Sequence, residues 1–106
     1  EARARYKAML DLLGEHEFLV AHFYYRRGAW EAARNRFEGL FASFPEYSRM
    51  EKALYYAGLT EFRLGRQEDA RALFEKLRKD YPESRWVRKV PKLPEAPAAT
   101  TADAGL

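Results

Sequence analysis

His16 and His22 are the only imidazoles in this 106-residue chain, and Glu15 and Glu17 flank the first of them. A zinc site needs about four converging ligands. A separation of six residues puts the two imidazoles on different faces of a helix, and nothing else supplies ligands, so no metal is expected. Nucleophilic chemistry fares no better. The chain has no cysteine, which removes thiolate nucleophiles, disulfides and thiolate metal sites together. Ser43, Ser48 and Ser84 have no evident base partner. The six glycines are scattered rather than gathered into a loop that could cradle phosphate. Glu31, Glu38, Glu68 and Glu75 fall three or four residues from Arg34, Arg71 or Lys79. They are expected as outward ion pairs worth about a few tenths of a kcal/mol each. Neither an enzyme nor a bound cofactor is expected from this inventory.

What remains is recognition. The net charge is +3 and the isoelectric point about 9.3, with the excess gathered late, at Lys76, Arg78, Lys79, Arg85, Arg88, Lys89 and Lys92. Arg85, Arg88 and Lys89 form a candidate basic docking end for an acidic partner or surface. The same cations also suit a solvated helix C-terminus through the macrodipole. Single-stranded nucleic acid needs clustered cations interleaved with stacking aromatics. This end has one, Trp86, so no nucleic-acid partner is expected.

The elements that must position these groups follow from apolar spacing. Tyr6, Met9, Leu10 and Leu13 lie on one helical face, which predicts a long helix over about 4–27 despite Gly14. Gly28 is free to adopt positive φ and end it. Trp30, Ala33, Phe37, Leu40, Phe41 and Phe44 predict a second helix over 30–44, stopped by Pro45. Ser48 and Glu51 read as a capping box, opening a third helix over 49–64 that Gly65 closes. A fourth covers 67–81 before Pro82. Ser84 caps one more turn through Trp86 and Val87, closed by Pro91. Residues 92–106 turn to Pro, Ala and Thr and carry too little apolar surface to offset ordering entropy. They are expected to be a disordered tail. No apolar run approaches the length of a membrane span. The sequence opens on Glu1 without a signal peptide, as a piece of something longer would.

Residues 26–46 recur, shifted by 37, as residues 63–83. Ten of those 21 positions are identical, among them Arg26/Arg63, Gly28/Gly65, Ala33/Ala70, Arg34/Arg71, Phe37/Phe74, Leu40/Leu77 and Pro45/Pro82. Composition alone would give about one or two, and a period in the mid-thirties means stacked helix–turn–helix units. The fold class expected is all-α, an α-solenoid fragment: a repeat domain over 1–91 with repeats at about 15–46 and 49–83. At least about three repeats are usually needed for stability. Two are expected to be marginal alone, or to self-associate through their flanks.

Ala21/Gly58, Gly28/Gly65, Ala33/Ala70, Phe37/Phe74 and Pro45/Pro82 resemble the signature of tetratricopeptide repeats. One departure stands out: late in the first helix of a repeat the family carries an aromatic, as at Tyr24, whereas the second repeat has Glu61, with Phe62 placed to compensate. A more specific resemblance covers residues 6–56. The run Glu17-Phe18-Leu19-Val20-Ala21-His22-Phe23-Tyr24-Tyr25-Arg26-Arg27-Gly28-Ala29-Trp30, continued by Asn35-Arg36-Phe37-Glu38-Gly39 and Phe44-Pro45, is similar to the C-terminal repeats of the BamD family of outer-membrane β-barrel assembly lipoproteins. That resemblance implies a non-enzymatic scaffold on the periplasmic face of a Gram-negative outer membrane. It would be anchored by a lipid on an N-terminal cysteine absent from this sequence, and would dock onto the barrel-forming assembly subunit. The alternative is a generic repeat adaptor, since residues 52–83 also resemble the repeats of CpoB-like cell-division coordinators.

In the repeat family the first helix of each pair lines the concave groove. By that pattern the partner-binding candidates are Phe18, His22, Tyr25 and Arg26 from the first repeat and Tyr55, Leu59, Phe62 and Arg63 from the second. Glu15 and Lys52 share the same face. Aromatics beside arginine are the composition of binding hot spots. The competing reading is that Phe18, Tyr55, Leu59 and Phe62 are simply buried. Arg26 and Arg63, each two residues before a capping glycine, also suit the helix C-terminus.

Overall fold

The computed structural model describes residues 1–93. Among them the chain runs α1 (Ala2–Arg26), α2 (Trp30–Ser43), α3 (Met50–Arg63), α4 (Gln67–Asp80) and a short α5 (Arg85–Lys89), with no strand. Helix α1 packs on α2 and α3 on α4; α2 then packs on α3. This is the all-α stack expected. Of the tail expected at 92–106, residues 94–106 lie outside the described residues.

The two repeats close on the same hydrogen-bonded turn. Gly28 and Gly65 have φ of +76° and +80°. Gly28 N–H donates to the Tyr25 carbonyl at 3.0 Å and Ala29 N–H reaches back to Tyr24 at 3.0 Å. In the second repeat Gly65 donates to Phe62 at 3.0 Å and Arg66 to Glu61 at 2.9 Å. Both are Schellman caps, which satisfy carbonyls that a helix end would leave open. A sharp reversal follows each, so the next helix folds back against the one before.

Small residues set how closely the helices approach. Ala21, Ala33, Ala53 and Ala70 are fully buried, and Phe37, Leu40, Leu54, Phe74 and Leu77 fill the space between them. At Gly58 the approach is closest: a Cβ there would sit 2.4 Å from Phe74 Cε1. Gly14 does similar work inside α1. A Cβ would meet the Tyr47 ring at 3.0 Å, so the glycine lets the loop after α2 pack flat against the first helix. The outer face of α1 is left open, with Tyr6, Met9, Leu12, Leu13, Leu19 and Phe23 among the exposed large apolar side chains. That is the kind of flank a short array presents.

One cap differs from its expectation. Ser48 does not open α3 through a capping box. Its backbone N–H and its hydroxyl donate to the two oxygens of Asp11 at 2.7 and 2.8 Å, and α3 begins at Met50 with no side-chain cap. A carboxylate accepting two bonds is a stronger partner than a backbone amide, so Ser48 ties the loop to α1 instead. At Ser84 the expectation holds: its hydroxyl accepts from Trp86 N–H at 3.1 Å and starts α5.

Candidate partner-docking surface

Two turns of α1 and the whole of α3 build the candidate surface, because side chains three and four apart share a helix face. His22 and Tyr25 stand one turn apart, with their rings stacked at 6.0 Å. From α3, Tyr56 meets His22 edge-on at 4.7 Å and Tyr25 at 5.1 Å. Tyr55 lies 5.1 Å from Tyr56, and Trp86 of α5 folds back onto both, 5.1 Å from Tyr55 and 5.7 Å from Tyr56. The result is a continuous aromatic strip across three elements. Each of its five members is half-buried, with one edge packed and one open.

Cations rim the strip. The Lys52 ammonium lies 4.6 Å from the Phe18 ring centre, Arg63 covers Trp30 at 5.4 Å, and Arg85 and Lys89 lie over Trp86 at 5.3 and 5.7 Å. Such contacts contribute roughly 0.5–1 kcal/mol at exposed sites. The field shows in the titrating groups. Burial, then Arg26 and Lys52, holds the His22 imidazole below its usual pKa, so a proton there is disfavoured. Burial and the neighbouring tyrosines push the Tyr25 and Tyr55 hydroxyls up, keeping both neutral donors.

Of the groove candidates, the structure brings His22, Tyr25 and Tyr55 into this strip. Leu59 and Phe62 lie half-buried on the same helix, and Arg26 and Arg63 are exposed at the helix ends. Phe18 is corrected: it is 2% exposed. It packs against Phe37, Tyr47 and Tyr56 beneath His22, as floor rather than contact. Arg85, Arg88 and Lys89 are exposed as expected. Two members were missed, Tyr56 and Trp86. Tyr56 sits four residues from Lys52, a spacing that marks the same face. Trp86 carried no local signal, because only the turn at 81–84 decides that it folds back.

The departure at Glu61 resolves into an ion pair. Glu61 is 6% exposed and accepts from Arg34 Nε of the preceding repeat at 2.9 Å. Arg66 approaches its other oxygen at 3.9 Å. Burial pushes the Glu61 carboxyl up even though Arg34 pulls the other way. The position is therefore filled by Glu61 itself rather than by compensation from Phe62. Nor do the expected surface pairs all form. Arg34 also meets Glu38 at 3.0 Å, but Glu75 pairs with Arg78 rather than Lys79. Tyr47 donates to Glu15, and its hydroxyl is pushed well up by burial and that carboxylate. Among the described residues no helix is long and apolar enough to cross a membrane.

The family model for YfiO, an outer membrane lipoprotein, matches residues 1–70. The chain is 32% identical over 84 residues to the outer membrane protein assembly factor BamD of Neisseria meningitidis serogroup A, covering 79% of this chain and 32% of that protein. With the factor of the same name from Neisseria gonorrhoeae it shares 31% over 84 residues, 79% of this chain and 32% of the relative. With that from Haemophilus influenzae it shares 34% over 55 residues, 52% and 21% respectively. The chain thus spans about a third of the length of the Neisseria relatives it matches. No solved structure matches it.

Proposed function

The chain belongs to the YfiO family of outer membrane lipoproteins, and from that premise we propose that it is a non-enzymatic docking scaffold in outer-membrane β-barrel assembly. Its place would be the periplasmic face of the membrane, as part of a longer lipid-anchored protein. The similarity to assembly factors named BamD supports this reading at the level of family. The single observation that carries it is the half-open aromatic strip His22–Tyr25–Tyr56–Tyr55–Trp86, rimmed by cations. Rigid aromatic rings lose little conformational entropy on binding and desolvate well, which is why they anchor interfaces. The occupant proposed is a periplasmic segment of the barrel-forming assembly subunit, with Arg26, Arg63 and Arg88 as outlying contacts.

The test is a calorimetric titration of the chain against the purified periplasmic domains of that subunit. Tyr25→Ala and Tyr55→Ala should each weaken the complex by about 2 kcal/mol or more. Their far-ultraviolet circular dichroism should stay that of the parent. The double change Arg26→Gln/Arg63→Gln separates docking from capping. A pure capping role costs about 0.3–1 kcal/mol of stability per residue and leaves affinity alone. Parent-like affinity in all three variants would move the interface off this strip.

A further inference from the structure

The 37-residue period places Arg71, Phe74, Glu75 and Arg78 where Arg34, Phe37, Glu38 and Phe41 stand one repeat earlier. The earlier four line a cavity of about 290 Å³ whose far wall is the next repeat, including Ala57 and Glu61 of α3. There Glu61 reaches Arg34 at 2.9 Å. The later four line a cavity of about 300 Å³ bounded only by residues 90–93. Among the described residues no further helix closes it. Arg71 Nη1 is buried and, among the described residues, has no hydrogen-bond partner. A buried guanidinium N–H without an acceptor is a costly group that a native fold normally satisfies. The cavity is also dressed differently. Phe41 becomes Arg78, which pairs with Glu75 at 3.2 Å, so an apolar wall becomes a charged one. Between residues 71 and 93 eight Lys and Arg stand against three Asp and Glu, which disfavours a second copy of this end and favours an acidic occupant.

We infer that this groove at the open end of the second repeat docks an acidic helix of a protein partner, which brings a carboxylate to Arg71 as α3 brings Glu61 to Arg34. The chain itself supplies the template. Ala57 and Glu61, four residues apart on one helix face, put a small residue over the cavity and a carboxylate at the guanidinium. The partner helix carries the same Ala-x-x-x-Glu spacing. This surface lies on α4 and the chain after α5, so it is separate from the aromatic strip, and loss of one leaves the other intact.

The probe is a fluorescent, hydrocarbon-stapled acidic helical peptide bearing one Ala-x-x-x-Glu pair, titrated by anisotropy into the 106-residue chain. Changing the peptide's pairing Glu to Gln should weaken binding by about 30-fold or more. Arg71→Gln should do the same, and the two changes together should cost little more than either alone. The peptide-side change leaves the protein untouched, so the test survives even if Arg71→Gln fails to fold. Equal binding of the Glu and Gln peptides, or of a scrambled peptide of equal charge, overturns the inference. So does a chain dimer that Arg71→Gln disperses in sedimentation. Tighter peptide binding by the Glu95→Gln/Asp103→Asn chain also overturns it, and assigns the groove to residues 94–106.

Discussion

At Arg34 a guanidinium donates to a buried carboxylate 2.9 Å away on the next repeat. At Arg71, 37 residues on, the equivalent guanidinium has a buried nitrogen and, among the described residues, no acceptor. Several neighbours that shape the two places are the same: a fully buried Phe at position 37 or 74, a fully buried Leu at 40 or 77 and a Glu four residues after each Arg. What differs is one lining residue, Phe41 against Arg78, and the element that comes next. After α2 a full helix arrives with Glu61, whereas after α4, among the described residues, α5 and residues 90–93 take that place. A repeat therefore specifies half of a seam, and the following repeat decides whether that half becomes interior or surface.

The comparison is broken most forcefully by removing each guanidinium in turn. Arg34→Met leaves Glu61 buried with only Arg66, at 3.9 Å, as a nearby cation. Removing one partner of a buried pair costs about 3–5 kcal/mol. The expected loss sits at the low end, about 3 kcal/mol, because the Arg34 side chain keeps 22% exposure. Arg71→Met takes away a group with no partner to strand, so its effect should stay within about 0.5 kcal/mol or be stabilising. Urea denaturation followed by circular dichroism reads both. The double variant Arg34→Met/Glu61→Leu should recover most of the loss, since apolar groups of similar volume often replace a buried pair at no cost. Equal losses at 34 and 71 would show that the two ends are not different in kind.

A second contrast lies at Ala21 and Gly58, also 37 apart. A methyl is accommodated at 21, where the side chain is fully buried. At 58 it would run into the Phe74 ring, with carbons at 2.4, 2.6 and 2.8 Å. Phe74 is 1% exposed, so its ring must shift to admit the methyl. Gly58→Ala is thus expected to destabilise by about 1–3 kcal/mol through overpacking, despite the roughly 1 kcal/mol of helix propensity that alanine brings. Ala21→Gly should cost about 1 kcal/mol from propensity alone. If Gly58→Ala raises the melting temperature, the close approach of α3 and α4 is looser than described.

How much of this was legible in the chain follows the range of the interactions. The Schellman glycines, the prolines after the second and fourth helices and the small buried residues act locally or repeat at a fixed period, and each was readable. The aromatic strip was half readable. His22, Tyr25 and Tyr55 follow from the expected groove face, but Trp86 joins only because a turn four residues long returns it to α3. The misread cap at Ser48 has the same origin. Its local partner, Glu51, was visible, while Asp11, 37 residues away, could be supplied only by the packing of α1. Periodicity even misleads at Arg71, where identity with Arg34 suggests an identical environment.

The gentlest probe of the comparison is pH, through position 22 and its counterpart 59, where the first repeat has His and the second Leu. Burial, then Arg26 and Lys52, depresses the His22 pKa below the ordinary imidazole value. The unfolded chain therefore takes up the proton first. The stability linked to His22 is fully present above the unfolded pKa and is lost as pH falls through the folded one. Glu61 runs the other way, because its pKa is raised, mainly by burial. The cost of its charge is present above the folded pKa and is relieved on acidification. A melt of the parent alone mixes the two. His22→Leu, which gives the first repeat the residue of the second, removes one contribution and leaves the other. Between about pH 7.5 and about pH 5.5, the window of histidine titration, the parent should lose more stability than His22→Leu. Parallel stability curves for the two proteins across that window would mean that His22 titrates as if it stood in water, and that the strip does not close over it.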